Sequence, residues 1–312
     1  MSLHRQTLPQ KADLPFLAYV GMETDLIFNR GMDLPGFASY PLLETKEGRE
    51  TLCGYFRQLM RIAQTHGLGV ILESPTWVAN ADRARPLGYT PAQLADFNKA
   101  AIALMVDMRN EIGDLPTVIS ANIGPRDDAY APGTQMTAKD AEAYHRQQIT
   151  TLSDTKVDIV SAYTLAYPAE AIGIVNAARS CDLPVIVAFT VETDSCLPTG
   201  MSLGDAICAV DDATDGYARY FMINCAHPDH FTPSLDDAPW MRRLQGVVAN
   251  ASRCSHAELD EATELDDGNP AELADQLAAL RQQNPSLNVL GGCCGTDMRH
   301  MEQLAQRLAR SS

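Results

Sequence analysis

The stretch Ser286-Leu287-Asn288-Val289-Leu290-Gly291-Gly292-Cys293-Cys294-Gly295-Thr296 decides how the rest of the chain is read. Its first half is a short apolar run of the kind that forms a buried strand. Its second half sets two adjacent cysteines between glycines. Successive side chains on a strand point to opposite faces, so both cysteines cannot be ordinary core residues of one strand. They can face a single point if the backbone turns sharply there, and the flanking glycines give that freedom. Two thiolates facing one point suit a soft divalent cation, most often zinc. Two sulfurs are too few, so a third ligand must come from elsewhere.

Outward from that strand, short β-type runs alternate with helical patterns along the whole length. Strands are expected at residues 16–20, 68–72, 117–120, 157–160, 184–189, 220–223, 246–249 and 288–290. Helices are expected at 46–66, 90–112, 137–152, 168–180, 202–210, 270–283 and 297–310, with weaker helical signal between the sixth and seventh strands. Thr90-Pro91 is a cap followed by a proline in the first helical position, and Thr137 with Asp140 has the spacing of a capping box. Eight strand-then-helix units predict an α/β fold, a parallel (β/α)8 TIM barrel filling residues 1–312 as a single domain. Doubly wound sheets also alternate, so it is the count that favours the barrel.

Barrel chemistry gathers where strands end, at the C-terminal face. The sixth strand ends in Asn224-Cys225 and the eighth in Cys293-Cys294, so Cys225 reaches the same rim and offers the third sulfur. Three thiolates leave one tetrahedral position open, which separates catalytic zinc from closed structural zinc. A thiol entering that position loses its proton and becomes a nucleophile. Other readings stay open: a buried turn or a vicinal disulfide for the cysteine pair, and His227 or His230 as a rival ligand. Cys53, Cys181, Cys196, Cys208 and Cys254 show no paired spacing and read as packing or surface residues.

Composition narrows the function classes. Forty acidic against 24 basic residues give a formal charge of -16, which argues against nucleic acid and against an anionic membrane surface. The longest apolar run, 183–191, is roughly half of what a bilayer crossing needs. Residues 1–14 contain no apolar core of a secretory signal. Eight scattered cysteines in a chain of this size point to reduced thiols and a cytoplasmic location.

Asn224-Cys225 after a sixth strand, together with Gly291-Gly292-Cys293-Cys294-Gly295-Thr296 after an eighth, resembles the zinc-dependent homocysteine S-methyltransferase family. That family includes betaine–homocysteine and S-methylmethionine–homocysteine methyltransferases and the homocysteine module of cobalamin-dependent methionine synthase. The resemblance runs through Gly21-Met22-Glu23-Thr24-Asp25-Leu26 with Arg30-Gly31, Glu73-Ser74-Pro75-Thr76-Trp77, Asn122-Ile123-Gly124-Pro125, Pro198-Thr199-Gly200 and Asn250-Ala251. It implies Zn2+ held by Cys225, Cys293 and Cys294. It also implies a small-molecule thiol acceptor, homocysteine or a related thiol, and a small sulfonium or ammonium methyl donor, within methionine biosynthesis. No catalytic side chain is implied beyond the activated substrate thiol. Substrate contacts fall on Tyr19, Gly21, Met22, Glu23, Thr24, Glu73, Trp77, Tyr163, Thr164, Asn224 and Asn250. The sequence is silent on oligomeric state.

Two positions depart from the family. Its first loop usually begins Asp-Gly-Gly, where this chain has Tyr19-Val20-Gly21, and its fourth strand usually ends Glu-Thr, where this chain has Tyr163-Thr164. In the family those carboxylates bind the amino group of homocysteine, through charge-assisted bonds worth roughly 1.5–3 kcal/mol each. Glu23 stands where the family has a glycine. Three readings follow: Glu23 or Glu73 substitutes for the lost acids, or the acceptor lacks the α-amino group or the donor differs, or the two tyrosines with Trp77 form an aromatic wall for a methylated cation. Rival functions are a methyltransferase working with a corrinoid protein, a non-catalytic zinc- or ligand-binding relative, and a barrel hydrolase or aldolase using zinc-bound water.

Overall fold

In a computed structural model that describes residues 2–12 and 14–310, eight parallel strands close on themselves in sequence order. Met1, Asp13, Ser311 and Ser312, which include both ends of the expected 1–312 unit, lie outside the described residues. The strands are β1 (Phe16–Ala18), β2 (Gly69–Glu73), β3 (Thr117–Ile123), β4 (Ile159–Leu165), β5 (Val185–Phe189), β6 (Phe221–Asn224), β7 (Leu244–Ala249) and β8 (Val289–Gly292). Closure is made by β1 against β8, with Phe16 opposite Val289 and Ala18 opposite Gly291. The expected (β/α)8 barrel is the fold.

Strands covered on both faces read as continuous apolar runs, and the period of two sorts their side chains. Phe16 and Ala18 pack inside the barrel with Ile71, Val118 and Ile186. Leu17, between them, packs outward against the helical shell. That shell comprises Lys46–Thr65, Pro91–Ile112, Ala138–Ser153, Pro168–Ser180, Leu203–Thr214, Pro270–Gln283 and Met298–Arg310. Thr90 caps its helix with a full capping box, accepting from the Gln93 N–H at 3.3 Å while the Gln93 side chain accepts from the Thr90 N–H at 3.0 Å. Thr137 achieves half of one. Its hydroxyl accepts from the Asp140 N–H, but the Asp140 carboxylate takes the Thr137 hydroxyl rather than its backbone N–H.

Three expectations need correction. β1 stops at Ala18, not residue 20, because its pairing with β8 ends there. β3 and β4 run on to Ile123 and Leu165, since backbone pairing continues through Asn122 and Ser161, where the apolar side-chain pattern breaks. The sixth crossover carries no long helix among the described residues. It has the single turn Pro228–Phe231 and the 3-10 turns Thr232–Ser234 and Pro239–Arg243, each with a proline in its first or second position. Among the described residues the eight strands are therefore served by seven long helices. No described helix is long and apolar enough to cross a membrane.

Candidate active site

The three cysteines reach one point because two strand ends are bent toward each other. After β8 the chain turns through Gly295 at φ 79°, with the Thr296 N–H donating to the Cys293 carbonyl at 3.1 Å. The Thr296 hydroxyl also accepts from the Gly21 N–H at 3.0 Å, stitching this turn to the loop after β1. After β6, Cys225 itself has φ 53°, and Thr164, the next-to-last residue of β4, has φ 62°. Left-handed backbone is uncommon for side-chain-bearing residues and costly for a β-branched one. The Asn224 side chain braces the threonine, accepting from the Thr164 N–H and donating to its Oγ1, both at 2.8 Å.

The Sγ atoms of Cys225, Cys293 and Cys294 lie within 4.8 Å of one another. Cys225 and Cys293 are drawn together as a disulfide pair with Cα atoms 5.5 Å apart, and Cys294 is the free thiol of the three. The sulfur pairing therefore joins β6 to β8, and the vicinal 293–294 disulfide is not formed. Among the described residues no histidine or carboxylate shares the cluster. His227 instead accepts the Asp229 N–H on Nδ1 at 3.2 Å, and burial pushes it down to about 4. His230 bonds the Arg253 carbonyl through Nε2 at 2.9 Å.

The donor set fits a soft divalent cation. Three sulfurs, those of buried Cys225 and Cys293 and half-buried Cys294, with no imidazole or carboxylate among them are zinc-type ligands. Burial pushes the Cys294 thiol up to about 12, so the surroundings oppose a thiolate unless a cation faces it.

Above the sulfurs opens a cavity of about 450 Å³. Of the residues that the resemblance marks as substrate contacts, Gly21, Glu23, Thr24, Tyr19, Trp77, Tyr163, Thr164, Asn224 and Asn250 line it. Met22 and Glu73 do not. They border a separate hollow of about 20 Å³ behind Tyr19. The two unexpected tyrosines are each tied to an acid. Tyr19 donates to Glu23, whose other oxygen accepts from Ser39 at 2.7 Å, and Tyr163 donates to Glu73 Oε1 at 3.2 Å. Burial raises Glu23 above the ordinary carboxylate range and pushes Glu73 up to about 7.

The Tyr19 and Tyr163 rings stand 6.3 Å apart, and Trp77 meets Phe37 edge-on at 6.3 Å. Trp77 is positioned by its indole N–H, which donates to the Tyr163 carbonyl at 3.4 Å. Gly124 leaves the room the indole needs, since a Cβ there would lie 2.6 Å from its Nε1. At the rim, Asp128, Asp260, Glu264 and Asp266 outnumber the single cation Arg83. Sequence reasoning missed Phe28, Phe37, Arg83, Tyr130 and His256, cavity residues on the connections that follow the strands, all but Tyr130 in short helical turns. Only the Ser255–Glu258 capping box ahead of His256 left a readable trace.

A closed parallel barrel with a thiol cluster at its C-terminal mouth has the layout of a barrel enzyme. The profile of the family described as Homocysteine S-methyltransferase matches residues 41–308, and the chain belongs to that family of thiol S-methyltransferases. All three clustered cysteines fall inside the matched span; the Tyr19–Thr24 loop precedes it. Among solved structures, the chain is similar to the homocysteine methyltransferase MmuM from Escherichia coli. To its oxidized form the identity is 19%, covering 96% of this chain and 98% of that one, with a TM-score of 0.72. To its metallated form the identity is 19%, covering 95% and 97%, with a TM-score of 0.70. At that identity the likeness speaks for the fold. No curated protein sequence matches the chain.

Proposed function

We propose that this chain moves a methyl group from a small sulfonium or ammonium donor to a thiol, homocysteine or a related thiol, using Zn2+ held by reduced Cys225, Cys293 and Cys294. The observation that carries this reading is the convergence of three sulfurs within 4.8 Å at the floor of an open cavity. A zinc ion bound there supplies the positive charge that keeps an incoming thiol deprotonated near neutral pH. The acceptor sulfur then forms its bond to the methyl carbon as the donor's C–S or C–N bond breaks, and the donor leaves as a neutral sulfide or amine.

The chain's own residues orient the two substrates. Tyr19, Trp77 and Tyr163 present aromatic faces that suit a methylated cation, and the acid-rich rim draws cations inward. Thr164, Asn224 and Asn250 line the cavity together with the sulfurs, and Gly21, Thr24 and Glu23 line it from the loop bonded to the cysteine turn. Met22 and Glu73 act from behind the wall, Glu73 by fixing the Tyr163 hydroxyl. Holding the substrates together in a largely apolar pocket contributes by proximity. We place the reaction in the cytoplasm, in methionine formation, in a chain working on small molecules as one 1–312 unit.

The test is metal analysis of protein purified under reductant, followed by a methyl-transfer screen. Thiols with and without an α-amino group are crossed against betaine, S-methylmethionine and dimethylsulfoniopropionate. One zinc per chain is expected, with loss of both zinc and transfer in Cys293→Ser. A reduced protein free of zinc, or full transfer by C293S, overturns the reading. Zinc binding with no transfer to any thiol would mark a non-catalytic relative, and transfer only with an added corrinoid protein would mark that donor.

A further inference from the structure

Cys225 holds its left-handed backbone with outside help. Its carbonyl oxygen accepts from His256 Nε2 at 2.6 Å and from the Thr190 hydroxyl at 3.4 Å. The other ring nitrogen of His256, Nδ1, lies 2.9 Å from the Glu192 carboxylate. The Cys225 carbonyl can only accept, so Nε2 carries the hydrogen of that contact. The Tyr130 ring stacks on the imidazole at 3.9 Å, with 27° between planes.

Tyr130, Glu192, Cys225 and His256 come from four different connections, after β3, β5, β6 and β7. His256 is buried and is the first residue of its short helix, where the Ser255–Glu258 capping box anchors the backbone. A freely turning peptide at 225 would relax toward an ordinary conformation and carry the Cys225 sulfur away from the other two. Fastening the carbonyl of that peptide opposes this, in the way outer hydrogen bonds orient metal ligands generally.

We infer that His256, oriented by Glu192 and covered by Tyr130, is a positioning residue that fixes the Cys225 peptide and so aims the Cys225 sulfur at the Cys293–Cys294 pair. The inference rests on the zinc reading above and concerns how this chain builds that site, apart from which substrates it uses.

Its test measures metal binding rather than turnover. Reduced, metal-free full-length protein is titrated with zinc against a chromophoric chelator. It is titrated separately with cobalt(II), whose thiolate charge-transfer absorption reports the sulfurs bound. His256→Ala should weaken zinc roughly 10- to 100-fold and lower the charge-transfer intensity, while the circular dichroism of the metal-free protein stays that of wild type. His256→Gln, which can still donate to the Cys225 carbonyl, should recover part of the affinity, and Glu192→Gln should fall between H256A and wild type. H256A binding zinc within twofold of wild type with an unchanged cobalt spectrum overturns the inference alone. Wild-type protein that binds no zinc overturns the zinc reading and this inference with it. If H256A does not fold, E192Q decides, and unchanged affinity there overturns the inference.

Discussion

Tyr163 and Glu73 illustrate how one side chain sets the state of another. Burial opposes the charged form of Glu73, and the hydroxyl bond from Tyr163 opposes that rise only in part, leaving the acid at about 7. An acid whose folded pKa exceeds its unfolded value, near 4.3, binds its proton more tightly when folded. The stability this contributes is therefore complete below about pH 4.3 and is lost as pH rises toward 7. Glu73→Gln, which does not titrate, should gain on wild type by up to about 3 kcal/mol between pH 4 and pH 8, read by chemical denaturation at each pH. A stability difference that stays flat over that range would show Glu73 keeping one protonation state throughout. Tyr163→Phe removes a bond that favours the charged form, so the midpoint of the same pH dependence should move upward.

At the scale of elements, β8 approaches β1 so closely that side chains matter by their absence. A Cβ on Gly291 would run into the Ala18 carbonyl and lie 2.9 Å from that of Tyr19. Gly291→Ala should therefore cost about 3 kcal/mol, the upper end for forcing atoms into a packed interior. Gly54, within helix Lys46–Thr65, has open space where its Cβ would be. Gly54→Ala should raise stability by about 0.5–1 kcal/mol through helix propensity, and urea titration of the two variants reads both signs. The same strands explain what could be read in advance. Doubly buried strands are written as unbroken apolar runs, so all eight were legible, and the barrel's common rim brought Cys225 to the Cys293-Cys294 pair. The ends of β3 and β4 were not legible, because Asn122 and Thr164 are polar while their backbones still belong to the strand ends. Tyr130, Glu192 and His256 were beyond reach for a different reason. Their meeting depends on the paths of separate loops, and no period or spacing records it.

For the molecule as a whole, the barrel separates its two ends. The chemistry gathers at the C-terminal mouth, and a polar seal closes the opposite end. There Asp158, fully buried just before β4, accepts from Arg109 at 2.5 Å, from the Ile119 N–H at 2.9 Å, and from the backbone N–H groups of Leu3 and His4 at 2.9 and 3.0 Å. One carboxylate thus ties the helix Pro91–Ile112, the strand β3 and the N-terminal segment to the base of β4. Removing one partner of a buried pair leaves the other charge without compensation, at about 3–5 kcal/mol. Asp158→Ala should lose about that much by urea unfolding, while its folded fraction keeps wild-type zinc content and methyl transfer, since barrel bases serve stability and barrel mouths serve chemistry. Cys293→Ser should do the reverse, with metal-free stability near wild type and the metal lost. An Asp158→Ala protein of unchanged stability would show that the seal contributes little, and one that is folded but inactive would show that the two ends are coupled through the strands.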